Sequence, residues 1–332
     1  MWTTPANSIK RSAVRRSAMI AALVVLCLVA VACASQSGAT GVSAPAGSAT
    51  DGGAAQGRVL DVVTTTAVVT DLVANIGGRN VKIYAVLKPN VDPHDYEPTP
   101  ADMQAIAAAD VIVKNGVGLE KWFDETIRSA SPRGIVVDSS TGVVIRRGHA
   151  SNGDNEGDPH IWHDPSNVKI MVANIATALE TADPAAADTF RANLASYSAQ
   201  LDTLDQDNRQ QIDTLTNNKL VTNHDAFGYY VQRYGLDYVG SVIPSFDTQS
   251  ELSPADVNAL VAKIKAEGVK AVFSEAALPP KTAEAIGREA GVKVVAGNGS
   301  LYGDSLGLPG SDADTYLKME AHNTRTIVDN LR

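Results

Sequence analysis

The sequence predicts an α/β fold of two similar lobes, each a mostly parallel sheet flanked by helices, joined by a long rigid α-helix. Short β-branched runs alternate with helical patterns from Arg58 onward, and the alternation restarts near Lys219. Such alternation is typical of parallel sheets with helices on both faces. Between the two halves, apolar residues recur at steps of three and four after Asp183-Pro184, which indicates one long amphipathic helix.

The first half of the pattern predicts an N-terminal lobe over residues 58–183. Its strands are the β-branched runs 59–66, 81–87, 111–114 and 135–138. Its helices are 70–77, 99–109 and 119–129. Thr70 or Asp71 is the expected cap of the first helix, and Thr99-Pro100 opens the second.

The linking helix is predicted over residues 184–217 and the C-terminal lobe over residues 218–332. About 30 helical residues would span roughly 45 Å, enough to pack across both lobes and to limit hinge motion between them. The strands of the C-terminal lobe are 220–222, 238–243, 271–274 and 292–296. Its helices are 226–234, 253–267, 280–290 and 312–331.

The N-terminus predicts export. A cationic start is followed by an apolar run over 18–32, which is short for a membrane-spanning helix of about 20 residues. We therefore expect residues 1–32 to be a signal peptide. Cys33 follows Ala30-Val31-Ala32, which resembles a bacterial lipoprotein cleavage box and predicts acylation of Cys33, although Ala30 departs from the commoner Leu. The alternative is a plain secreted protein with a stray thiol.

Residues 33–57 are rich in Ser, Gly, Ala and Thr, which predicts a flexible, lipid-anchored tether. The other cysteine, Cys27, would leave with the signal, so no disulfide is expected in the mature body. The formal net charge of −9 and the lack of a basic patch argue against a nucleic-acid partner.

Three of the six histidines stand in contexts that suit metal binding. His94 lies in the segment 92–98, His160 in the segment 158–162, and His224 at the end of a predicted strand. In open α/β sheets ligands gather at the carboxyl ends of strands, where His94, His224 and Asp304 fall. A ligating imidazole needs an acceptor on its other nitrogen, and the acidic neighbours Asp92, Asp158 and Asp225 are candidates. Taken singly, each histidine is more often a structural side chain.

The segments 92–98, 158–162 and 222–230, in this order and at these separations, resemble the zinc/manganese substrate-binding lipoproteins of ABC importers. The resemblance covers 59–331 and includes the segments 115–122 and 273–275 as well as the long central helix. It implies one metal site between the lobes. Its ligands would be His94 and His160 from the N-terminal lobe with His224 and Asp304 from the C-terminal lobe.

Three further residues are assigned by their position. Glu275 ends a strand near the predicted cleft and is a candidate for support of a ligand. His163 occupies a variable position of the family pattern, so we expect it either behind a ligand or on the surface. His322 lies on the terminal helix and is expected to be structural.

The resemblance implies an extracytoplasmic, monomeric receptor that delivers a divalent metal to the membrane permease of an ABC importer. Three imidazoles and one carboxylate favour Zn(II) over Mn(II), and manganese-selective relatives often carry Glu where His224 stands. Zinc-specific relatives often have a His-rich loop before the second ligand. Here the segment 148–157 has only His149, which weakens that preference.

Two other functions are weighed against the receptor. A surface adhesin or scaffold with a structural metal would fit the lipid anchor equally well. A zinc hydrolase would need an open coordination position and a general base, for which Asp304 would have to stay back from the metal. The sequence has no His-Glu-x-x-His helix, so no enzymatic activity is expected.

Overall fold

The parallel sheet of the N-terminal lobe forms from the predicted β-branched runs. The computed structural model describes residues 58–147, 157–250 and 252–332. Within them, four parallel strands lie in the order β2-β1-β3-β4. They are β1 (Leu60–Thr64), β2 (Val81–Ala85), β3 (Val111–Lys114) and β4 (Ile135–Asp138). The predicted signal peptide, the tether, Cys33 and His149 lie outside the described residues.

Four helices pack against this sheet: α1 (Ala67–Gly77), α2 (Pro100–Ala108), α3 (Lys121–Ala130) and α4 (Pro165–Ala182). The predicted cap of α1 was wrong, because Thr66 caps it by accepting a hydrogen bond from Val69 N at 3.2 Å. Asp71 instead accepts Tyr316 N at 3.0 Å. No helix was predicted for α4, although Asp164 as cap and Pro165 at the first turn are ordinary start signals.

The C-terminal lobe repeats the alternation of strands and helices. Its described strands form two parallel pairs, β5 (Lys219–His224) with β6 (Asp237–Ile243) and β7 (Ala271–Phe273) with β8 (Lys293–Val295). Its helices are α6 (Gly228–Tyr234), α7 (Pro254–Glu267), α8 (Lys281–Ala290) and α9 (Tyr316–Leu331). The terminal helix begins four residues later than predicted, where Thr315 accepts a hydrogen bond from Lys318 N.

The long helix α5 (Ala187–Ile212) joins the two lobes, and its 26 residues span about 39 Å. Phe190 and Tyr197 of α5 pack in the apolar core of the N-terminal lobe, and Ile212 packs in that of the C-terminal lobe. Residues 184–186 form a separate 3-10 turn. Helix α9 also reaches both cores, through Met319 and Ile327. The lobes are therefore connected by two shared helices.

Across the described ranges, no helix is both long and apolar enough to cross a membrane. The parallel strands of both lobes end toward loops that carry the predicted metal ligands.

Candidate metal centre

The four predicted ligands come from four separate segments. His94 lies in the loop between β2 and α2, and His160 stands directly before a 3-10 turn over Ile161–His163 that leads into α4. His224 is the last residue of β5, and Asp304 lies in the loop between β8 and α9. His224 thus stands at the carboxyl end of a strand, and His94 and Asp304 lie in the loops that follow the carboxyl ends of β2 and β8, as parallel sheets favour.

The structure brings one nitrogen or oxygen of each of these side chains within 4.8 Å of the others. His160 Nε2 lies 3.2 Å from Asp304 Oδ1, and His224 Nε2 lies 3.2 Å from Asp304 Oδ2. The two Nε2 atoms of His160 and His224 are 3.3 Å apart. His94 stands further out, with its Nε2 3.7 Å from Asp304 Oδ2. The arrangement leaves three nitrogens and a carboxylate facing one point.

Burial makes this arrangement costly unless a cation or protons neutralise it. All four side chains are at most 4% exposed. Among the described residues, His94 Nε2 and Asp304 Oδ1 are buried and have no hydrogen-bond partner of ordinary geometry. Two buried polar atoms without partners that face the same point fit a cation held between them.

His160 is held from behind by Asp158. The carboxylate Oδ1 of Asp158 accepts hydrogen bonds from His160 Nδ1 at 2.8 Å and from its backbone N at 3.0 Å. Oδ2 of Asp158 accepts Arg146 Nη1 at 2.7 Å, which balances the buried charge. With Nδ1 donating to Asp158, Nε2 is left free to face the centre.

His224 is held in the same way by Glu275. Glu275 Oε1 accepts His224 Nδ1 at 2.8 Å and His224 N at 3.0 Å. Asp225, a candidate acceptor from the sequence, does not serve His224, because Nδ1 of that ring bonds Glu275 and its Nε2 faces Asp304. Glu275 lies 51 positions away, so only its strand-end position could have suggested it.

His94 is positioned through its backbone. Its N–H donates to Asp92 Oδ1 at 2.9 Å, so Asp92 supports the loop and not the ring. Asp92 Oδ2 in turn accepts Thr248 Oγ1 at 2.7 Å, a contact between the two lobes. The carbonyl of Pro93 accepts Trp122 Nε1 at 3.1 Å. These bonds fix His94 and the two residues before it.

The pKa values follow from this environment. Burial lowers the pKa of His94 to about 4. Burial acts in the same direction on His160, but the hydrogen bond to Asp158 and the charge of Asp304 outweigh it and raise the pKa of His160 to about 9. The charges of Asp304 and Glu275 likewise outweigh burial and raise the pKa of His224 well above its usual value. The imidazolium charges hold the pKa of Asp304 well below its usual range against the effect of its burial.

The loop of Asp304 needs a glycine beside it. A Cβ on Gly303 would collide with Glu275 Oε2 and would lie 3.4 Å from His224 Cε1. The Gly303 carbonyl accepts Trp162 Nε1 at 3.0 Å and His163 Nε2 at 2.9 Å. This glycine therefore lets the Asp304 loop approach His224 closely.

Two further histidines, His163 and His322, are buried outside the set of four ligands. His163 is fully buried, so the surface alternative for it was wrong. His322 is buried and bonds Asp312 Oδ2 at 2.9 Å and the carbonyl of Ser300 at 3.0 Å through its two nitrogens. It holds the loop that precedes α9, as expected of a structural residue.

Comparison with known proteins agrees with this architecture. Residues 62–330 match the family described as zinc-uptake complex component A, periplasmic. The manganese-binding lipoprotein MntA of Halalkalibacterium halodurans is 31% identical over 278 residues, which cover 83% of this chain and 89% of the relative. The iron-binding protein YfeA of Yersinia pestis is 32% identical over 270 residues, which cover 80% of this chain and 84% of the relative.

Among solved structures, the periplasmic zinc-binding protein TroA from Treponema pallidum superposes with a TM-score of 0.74 at 32% identity. The superposition covers 81% of this chain and 98% of TroA. The family match spans most of the chain, including the strands of both lobes and the four converging side chains. The chain therefore belongs to the family of periplasmic component A proteins of zinc-uptake complexes.

Proposed function

We propose that the protein is an extracytoplasmic receptor that captures a divalent transition metal between its lobes and delivers it to the permease of an ABC importer. Family membership supports a metal-binding component of an ABC metal-uptake system. The observation that carries the proposal is the convergence of His94, His160, His224 and Asp304 within 4.8 Å in a buried, partly unsatisfied centre. These four side chains are the proposed ligands.

Because two ligands belong to each lobe, the metal would link the lobes. Part of the binding free energy then becomes free energy of lobe docking. The direct contact of Thr248 with Asp92 and the ion pair of Lys121 with Asp247 at 2.9 Å already join the lobes near His94. Release of the cargo to a permease would require these contacts and the ligand set to separate together.

Zn(II) is the proposed cargo in preference to Mn(II). Ligands at about 2.0–2.1 Å from a tetrahedral zinc ion lie roughly 3.3 Å from one another. The Nε2 atoms of His160 and His224 are 3.3 Å apart, close to that value, and each lies 3.2 Å from a different oxygen of Asp304. Nitrogen-rich ligand sets suit zinc better than manganese, which prefers oxygen. Relatives named for manganese, iron and zinc all exist, so metal competition is the test that matters.

The predicted extracytoplasmic, membrane-anchored location is supported by relatives that are named substrate-binding lipoproteins of metal ABC transporters. Acylation of Cys33 remains our proposal for the anchor of this chain. The relatives are binding proteins of transporters, and we propose no enzymatic activity. The close contacts of Asp304 with His160 and His224 support a ligand, whereas a hydrolytic base would have to leave a coordination position open.

The decisive experiment uses the soluble fragment 34–332, stripped of metal and titrated with Zn(II) and Mn(II) in competition. One equivalent bound reversibly by a folded metal-free protein, with zinc displacing manganese, is the expected result. A metal-free form that unfolds, and regains structure only with metal, would favour the adhesin or scaffold with a structural ion. Absence of stoichiometric metal would contradict the proposed function.

A further inference from the structure

A second buried pair of charges lies directly behind the candidate metal centre. His163 and Glu320 are both fully buried, and His163 Nδ1 lies 2.6 Å from Glu320 Oε1. The other nitrogen of His163 lies 2.9 Å from the carbonyl oxygen of Gly303, the residue before Asp304. Glu320 belongs to α9, so the pair connects that helix with the Asp304 loop.

The Gly303 carbonyl determines which nitrogen of His163 must carry a hydrogen. A carbonyl oxygen only accepts, so His163 Nε2 must carry hydrogen and donate to Gly303. Glu320 and His163 Nδ1 then share one further proton, whichever of them holds it. The pair is neutral as a whole in either case, which makes its burial tolerable. The orientation of the imidazole is thereby fixed toward Gly303.

His163 also belongs to the segment that carries His160 and contacts the segment that carries His224. It follows His160 by three residues, and the intervening Trp162 donates its Nε1 to the same Gly303 carbonyl at 3.0 Å. On its other side, the imidazole stacks on Phe227 with ring centroids 4.5 Å apart and planes at 24°. Phe227 follows His224 by three residues. One side chain thus touches the segments that carry His160, His224 and Asp304.

Helix α9 holds the same loop at neighbouring points. Asn323 accepts Tyr302 N at 2.9 Å and donates to Tyr302 O at 2.9 Å. Tyr316 donates its hydroxyl to the carbonyl of Trp162 at 2.7 Å. The backbone before Asp304 is therefore bound to α9 on one side and to the segment 160–163 on the other.

We propose that His163 and Glu320 are positioning residues for metal binding. Through the Gly303 carbonyl they set the distance of Asp304 from His160, without contacting the metal. This inference rests on the proposed function of the centre. Loss of the donor to Gly303 lets the Asp304 loop relax, and we expect metal affinity to fall about 10- to 100-fold, as for other groups that orient ligands.

The main test variant combines His163→Phe with Glu320→Met in the full chain. The phenyl ring retains the packing on Phe227, and removal of both polar groups leaves no unpaired buried charge. A second variant, His163→Asn, keeps a donor for Glu320 but is too short to reach Gly303, so it gives the same answer if the double variant fails to fold. Glu320→Gln is the conservative variant, because its amide can donate to Nδ1 and preserve the bond to Gly303.

The matched control is Asn193→Ala. Asn193 Nδ2 donates to the carbonyl of Ile76 at 2.8 Å, a bond of the same kind at a place that touches no ligand loop. For every variant the readouts are Zn(II) affinity by chelator competition and the visible absorption spectrum with saturating Co(II). The spectrum reports the coordination geometry of the bound ion, which general destabilisation does not change.

A 10- to 100-fold loss of affinity with an altered Co(II) spectrum in the double variant or His163→Asn is the expected result. Glu320→Gln and Asn193→Ala should stay within about threefold of wild type, well short of that loss. Wild-type affinity and spectrum in a folded variant without the Gly303 donor would overturn the positioning role while leaving the proposed function intact. Failure of the wild-type protein to bind Zn(II) or Co(II) would instead refute the proposed function and this inference with it.

Discussion

The metal-free protein should lose stability as the pH rises from about 6.5 to about 9. In the fold the hydrogen bond to Asp158 and the charge of Asp304 raise the pKa of His160 to about 9, from 6.5. A group whose pKa is higher in the folded state stabilises the fold while it is protonated. That contribution is complete below the unfolded pKa and disappears as the pH passes through the folded pKa.

The magnitude follows from the size of the shift. A change from 6.5 to about 9 corresponds to roughly 3 kcal/mol of unfolding free energy, at about 1.4 kcal/mol per pH unit. The raised pKa of His224 acts in the same direction and adds to the loss. His94 acts oppositely, because burial lowers its pKa to about 4 and stability is lost as the pH falls below 6.5. Maximum stability of the metal-free form is therefore expected near pH 6.5.

The assay is urea unfolding of metal-free protein between pH 6 and 9.5, with and without saturating Zn(II). Zinc needs neutral imidazoles, so the stabilisation that it adds should grow over the same interval. The Asp158→Asn variant removes the charge behind His160 and should show a smaller fall. A flat or rising stability of the metal-free protein from pH 6.5 to 9, or an unchanged fall in Asp158→Asn, would refute the reasoning.

Three further predictions concern the centre directly. His224→Ala should lower metal affinity more than 100-fold, beyond the usual cost of losing a supporting group, and leave the fold intact. Metal affinity is measured by chelator competition, with His149→Ala as the control that should keep wild-type affinity. Unchanged affinity in His224→Ala would contradict its assignment as a ligand. Glu275→Gln removes the charge behind His224 and should cost about 10- to 100-fold in affinity, measured in the same way. Gly303→Ala should cost about 1–3 kcal/mol of stability through overpacking against Glu275, measurable by thermal unfolding, and wild-type stability would contradict the close approach.

The fold was largely predictable because its strands are β-branched runs and its helices carry ordinary start signals. The strands Val111–Lys114 and Ile135–Asp138 were placed as the structure has them. The misplaced cap of α1 has a local cause, since Thr66 and Thr70 are both good capping residues and packing decides between them. Helix α4 was missed although its buried face, including Val168 and Leu179, has helical spacing.

Among the residues around the ligands, Asp158 was a candidate because it is a neighbour in sequence and Glu275 because it ends a strand, but the pairing of Glu275 with His224 was not predicted. Asp158 lies two positions from His160 and was a candidate acceptor that the structure bears out. Glu275 contacts His224 across 51 positions, and Glu320 contacts His163 across 157. No local pattern encodes such pairs, because the strand register and helix packing that join them are properties of the whole lobe.

By itself, the sequence determined the alternating α/β architecture, the long helix between the lobes and, through motif resemblance, the four candidate ligands. Periodicity and local motifs carry this information, because they reflect interactions between residues close along the chain. The tertiary structure decided the separations within the centre, the shifts in the pKa values of its imidazoles and the buried His163–Glu320 pair. Those depend on burial and on charges brought together from distant segments, which arise only when both lobes are packed.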